Sequence, residues 1–222
     1  MNALPMDLLL WARGPGMTLA LVILVGGLVV RLLETISMGH RGCLAPPVTN
    51  GSASSGVTTL WRRFGVPPGM LKRAPITYLG GYLFHVGLLI TIFLFVPHIA
   101  FFKEVIGLSW PGLPNLWIDL ATIAALAGMI MLLADRLIHP VKRFLSTFED
   151  YLVWTLTFLP LLTGYLAFHH QGLAYETMLA LHLLAVEALL VALPFTKLIH
   201  AITAFGARWY TGTWFGRKGI AS

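Results

Sequence analysis

Five apolar runs, of about twenty to thirty residues each where a helix needs about twenty to cross the hydrocarbon core of a bilayer, constrain this chain more than any other feature. They fall near 15–37, 75–102, 115–134, 150–168 and 176–205. The 222 residues are 57% hydrophobic and only 11% charged, where a soluble domain carries roughly a quarter charged residues. The predicted fold is therefore all-α, an integral membrane bundle of five transmembrane helices in one domain over 1–222. Pro75 suits the first turn of the second helix, where its missing donor is harmless. Pro97 and Pro194 lie within runs and are expected to bend or loosen their helices. Asp135 and Arg136 close the third run, and Pro140 breaks the pattern before the fourth.

The net charge of +6 sits in short segments between the runs, where it sets topology rather than attracting nucleic acid. The segment 38–74 carries Arg41, Arg62, Arg63, Lys72 and Arg73 with no acidic residue, which predicts a cytoplasmic loop. Arg136, Lys142 and Arg143, and later Arg208, Arg217 and Lys218, fall on the same side. The topology then reads N-terminus out, C-terminus in. Trp110 and Trp117 at the outer edge, with Trp61, Trp154, Trp209 and Trp214 toward the inner edge, suit interfacial anchoring or plain packing. Within the basic loop GSASSG at 51–56 reads as a linker, and TTLWRRFGVPPGMLKR after it suits a membrane surface or a docked soluble partner. No internal repeat suggests a transporter with inverted halves. A lone cysteine, Cys43, excludes an internal disulfide, a cysteine zinc site and an iron–sulfur cluster of the chain's own. The N-terminus lacks the basic segment of a cleavable signal peptide, and GHRG before Cys43 makes no lipoprotein site, so the first run is expected to be retained.

Ionisable side chains in lipid are costly and usually mark a cofactor, ion or proton site. Of eight histidines, His40, His139, His169 and His170 lie in or beside polar loops, where solvated roles are expected, with His169 and His170 facing the outer side. His85, His98, His182 and His200 lie inside apolar runs. His182 and His200 are eighteen residues apart, which on one helix returns both to one face about 27 Å apart along the axis. Antiparallel neighbours would pair His85 with His200 toward the inner surface and His98 with His182 toward the outer. Each pair can ligate one haem iron through two neutral imidazoles, which leaves no open coordination position and favours electron transfer. Thirteen residues from His85 to His98 turn about 220° on an ideal helix, so that pair depends on Pro97 altering the angle. Gly80, Gly81 and Gly87 would let a porphyrin approach the backbone, or serve helix packing.

The run LHLLAVEALLVALPFTKLIH resembles the last helix of the haem-bearing gamma subunit of respiratory nitrate reductase, and YLFHVG at 82–87 resembles that family's second helix. The resemblance covers most of 76–205 and extends to cytochrome b subunits of sulfur-metabolising complexes of the Dsr and heterodisulfide-reductase-like kinds. It implies two b-type haems stacked across a bacterial or archaeal cytoplasmic membrane, the inner on His85 and His200 and the outer on His98 and His182. It also implies electron exchange between quinone or quinol and a cytoplasmic-side iron–sulfur subunit, with no terminal reaction site in this chain. The thirteen-residue histidine spacing and the lack of a matching lysine at the start of helix three are departures that point away from nitrate as terminal substrate.

Quinone chemistry needs a proton acceptor with access to water. His98, Lys103 and Asp119 are the candidates at the outer end, while Glu187 points about 140° away from His182 and is a proton-relay or interhelical hydrogen-bonding group. Two readings from other classes stay open: a haem-free membrane anchor whose histidines bond between helices, and a transporter or proton channel using Glu187 and the histidines.

Overall fold

The computed structural model describes residues 3–39, 46–49 and 53–220. His40, Arg41, Cys43 and the first two residues of the expected linker lie outside them. The protein is 83% helical, with no strand among the described residues. In chain order the helices are α1 (Ala3–Trp11), α2 (Met17–Ser37), α3 (Ala53–Arg62), α4 (Met70–Arg73), α5 (Pro75–Leu94), α6 (Val96–Ile106), α7 (Asn115–Ile138), α8 (Pro140–Leu145), α9 (Phe148–Phe168), α10 (Tyr175–Ala192) and α11 (His200–Arg217). Five helical runs are long and apolar enough to cross a membrane: Pro5–Ser37, Pro75–Leu94, Asn115–Ile138, Phe148–Phe168 and Tyr175–Phe195. The protein is a multi-pass, all-helical membrane protein.

Prolines account for most departures from the expected boundaries. The first run begins some ten residues earlier than 15–37, because Ala12–Gly16 (ARGPG) continues as a π-helical turn that absorbs Pro15, with Met17 N–H bonding back to Ala12 O. The second run does not continue to 102. It ends at Leu94, where Phe95 turns extended (φ −83°, ψ 124°), and α6 restarts with Pro97 in its first turn. The last run, expected as one helix over 176–205, leaves α-geometry after Ala192. Pro194 is the middle residue of a 3₁₀ turn (Leu193–Phe195), Thr196 is extended (φ −124°, ψ −179°), and His200 opens a separate helix that runs on to Arg217. His182 and His200 therefore do not share one helix face. The fourth span starts at Phe148 under a capping box in which Thr147 and Asp150 satisfy each other's backbone donors.

The chain divides into two compact units. The first comprises Met1–Val22 and Ala74–Val191. Its core is Phe84, Ala125, Met129 and Leu161, drawn from α5, α7 and α9. Without a hydrophobic drive between helices in lipid, close approach comes from small residues. A Cβ on Gly80 would lie 3.1 Å from Gly128 O, and one on Gly128 would lie 2.6 Å from Gly80 O. Gly87 presses in the same way on the carbonyl of Ala121. These glycines thus serve α5–α7 packing, not a porphyrin. Trp154 is likewise a packing residue: its indole donates to Met129 O at 2.8 Å and stacks on Phe158. At one end Asp135 pairs with Lys142, and Arg136 reaches Asp150 at 3.5 Å and Ser146 at 2.9 Å.

The second unit comprises Ile23–Arg73 and Ala192–Ser222. Here residues 53–56 of the expected linker form the first turn of α3, which packs on α11 through Gly56 against Trp209 and Gly212 against Thr59. Arg31, inside the first span, donates Nε to Pro194 O at 2.8 Å, a carbonyl in the broken segment, and pairs with Glu34.

Candidate functional site

The break after Leu94 creates the site. The last carbonyls of a helix have no partner within it, and Pro97 brings no N–H to replace one. Thr91 O accepts from His98 Nδ1 at 2.9 Å, Phe93 O from the Trp110 indole at 2.5 Å, and Leu94 O from the Leu113 N–H at 2.9 Å. A carbonyl can only accept, so the hydrogen-bond pattern assigns the proton of the neutral His98 ring to Nδ1 and the lone pair to Nε2. Phe95 stands edge-on to this ring, with centres 5.2 Å apart.

His182 comes from α10 and is held from α9. Its Nδ1 donates to Pro160 O at 3.0 Å, which again leaves the lone pair on Nε2. The ring lies against Gly164: a Cβ there would stand 2.8 Å from Cε1 and 3.0 Å from Nδ1. Both histidines are half-buried. Their ring centres are 6.2 Å apart and their planes differ by 17°.

Two imidazoles on opposite sides of one metal need two metal–nitrogen bonds of about 2 Å and about 1.1 Å more from each nitrogen to its ring centre, in all about 6.2 Å. Ring centres 6.2 Å apart leave room for one metal between the two rings, and both rings hold the tautomer that offers Nε2. Backbone carbonyl bonds to the other ring nitrogen are the usual support of a ligating histidine. Among the described residues no cluster of three or more His, Cys, Asp and Glu side chains could hold a bare ion. A haem needs only the two axial ligands, since the porphyrin supplies the rest.

The other two expected ligands have the same local support, each within its own unit. His85 is exposed on α5, with Nδ1 donating to Gly81 O at 2.7 Å. His200, exposed at the start of α11, donates Nδ1 to Lys197 O at 2.7 Å. His85 belongs to the first unit and His200 to the second. Gly81 differs from its glycine neighbours: a Cβ there would meet nothing within 4 Å.

Two acidic residues are placed as the sequence could not tell. Asp119, early in α7, accepts from His169 Nε2 at 3.0 Å. Glu187 is buried, with both carboxyl oxygens 2.9 Å from where a Cβ on Gly16 would lie and with Trp11 beside it. Its Oε1 has no hydrogen-bond partner among the described residues. Sequence reasoning missed Gly164, Thr91 and Pro160, all of which act on the histidines through tertiary contact. The only available hint was that Gly164 interrupts an otherwise bulky run, LPLLTGYLAF.

A protein of Nitratidesulfovibrio vulgaris (strain Hildenborough) is 29% identical to this chain over 205 residues, which span 90% of this chain and 89% of that protein. No protein-family model matches the chain. No solved structure matches it either.

Proposed function

We propose that this protein is a dihaem b-type cytochrome subunit of a membrane oxidoreductase, passing electrons between the quinone pool and an iron–sulfur subunit on the cytoplasmic side. The observation that supports it is the His98–His182 pair: ring centres 6.2 Å apart, near-parallel planes, and both Nδ1 atoms engaged by backbone carbonyls. His98 and His182 would hold the haem between them, and it would supply reversible one-electron transfer. The chain's own part is to hold ligand geometry. Thr91 O and Pro160 O fix each ring's tautomer and raise the basicity of Nε2. Gly164 makes room for His182 against α9.

His85 and His200 are proposed for the second haem on their correspondence with the nitrate reductase gamma subunit. The basic segments after the first, third and fifth runs support an N-terminus outside and a C-terminus inside a bacterial or archaeal cytoplasmic membrane. The thirteen-residue step from His85 to His98, taken up at the break at Phe95, departs from the nitrate reductase gamma pattern, and a cytochrome b subunit of a sulfur-metabolism complex is the alternative reading.

Reduced-minus-oxidised spectra with pyridine haemochrome quantitation of the purified protein test the proposal. Two haem b per chain are expected, and His98→Ala and His182→Ala should each lose the same one. A colourless, folded protein would overturn it and leave the haem-free anchor. Proton flux in liposomes without a redox partner would replace it with the channel.

A further inference from the structure

Fifty residues apart in the chain, His169 and Asp119 meet outside the contacts that hold His98 and His182. His169 closes α9, and its Nε2 lies 3.0 Å from Asp119 Oδ1, with 29% and 27% of the two side chains exposed. A carboxylate only accepts, so in the neutral ring Nε2 carries the proton and Nδ1 offers a lone pair. Carboxylate support of this kind turns an imidazole into an oriented base: it fixes the tautomer and stabilises the imidazolium once a proton is taken. Tyr165 and Phe168 flank the ring, with centres 4.4 Å and 5.2 Å away. Phe168 in turn meets Phe95 at 5.0 Å, and Phe95 meets His98 at 5.2 Å. Two aromatic rings therefore link a solvent-accessible base to the candidate haem ligand.

We infer that His169, positioned by Asp119, accepts the protons of a quinol oxidised at this end of the protein. The inference rests on the dihaem proposal, which provides the electron acceptor. A quinol O–H bond would break with its proton passing to His169 Nδ1, and one electron would leave to the haem that His98 would hold. The ring then returns its proton to water, which its exposure permits, and the second hydroxyl repeats the step. One quinol thus yields one quinone, two protons and two electrons.

Stopped-flow reduction of the full-length, haem-loaded protein by menadiol tests this. His169→Ala should slow reduction by about a hundredfold or more, while dithionite still reduces both haems with an unchanged spectrum. Added imidazole should restore part of the rate. Asp119→Asn should lower kcat with little change in KM for menadiol. Binding of 1-naphthol, whose hydroxyl donates like a quinol's, should weaken by about two- to tenfold in His169→Ala, the loss of one hydrogen bond. A menadiol rate within about twofold of the parent in His169→Ala would overturn the assignment, since a general base contributes far more than that. So would a slow rate that imidazole does not raise. A colourless parent protein defeats the dihaem proposal instead, and 1-naphthol binding remains readable in that case.

Discussion

Replacing Gly164 by alanine should dislodge His182 without touching any polar group. The added methyl would stand 2.8 Å from Cε1, 3.0 Å from Nδ1 and 3.5 Å from Nε2. Carbon atoms settle at about 3.5–4.0 Å, so the ring must retreat by about 0.7–1.2 Å. Metal–nitrogen bonds tolerate about 0.2 Å. Retreat also stretches the 3.0 Å bond from Nδ1 to Pro160 O, which holds the ring's tautomer. The cost of overpacking, about 1–3 kcal/mol, is partly offset by alanine's helix preference of about 0.5–1 kcal/mol, so the protein should stay folded. Haem content by pyridine haemochrome and the spin state of the ferric protein report the outcome. Gly164→Ala should lose one low-spin haem, as either an absent haem or a high-spin one. Gly26→Ala, where a Cβ meets nothing within 4 Å, is the matched control and should keep both haems. A Gly164→Ala protein with two low-spin haems and the parent spectrum would refute His182 as a ligand in this position.

Gly128→Ala places a methyl 2.6 Å from Gly80 O and 2.8 Å from Phe84 N, both backbone atoms that cannot step aside. Thermal unfolding in detergent should show a loss of about 1–3 kcal/mol, and an unchanged midpoint would contradict the α5–α7 contact. Glu187→Met removes a buried carboxyl whose Oε1 has no partner among the described residues, so stability should rise by about 1–3 kcal/mol. A clear drop instead would mean that the carboxyl makes a favourable interaction of its own.

Much of the fold was legible because lipid imposes simple rules. Run length marked five spans, and the prolines marked where helices would break, though not how far the breaks would go. The sequence predicts a local bend at Pro97, yet the missing N–H, together with an extended Phe95, ends the helix and releases the carbonyls that His98, Trp110 and Leu113 take up. Pro194 was also expected to loosen its helix. Instead Thr196 turns extended, and the eighteen-residue face shared by His182 and His200 disappears. Periodicity assumes continuous helix, so it fails at such a break. The four histidines stood out by their cost in an apolar run. Their supports did not: Gly164 and Pro160 sit on a different helix from His182, and only the interruption of a bulky run at Gly164 hints at a role. Asp119 stands out in the sequence as a candidate proton acceptor and His169 as a loop residue facing the outer side, but their pairing, fifty residues apart, is visible only once α7 and α9 are packed.

Low-temperature EPR of the oxidised protein tests the central assignment most directly. Imidazole planes within 17° of each other should give a rhombic low-spin ferric signal from the haem held by His98 and His182. That signal should vanish in His182→Ala and remain in His85→Ala. No low-spin ferric signal in folded protein, or a rhombic signal untouched by His182→Ala, would contradict the assignment.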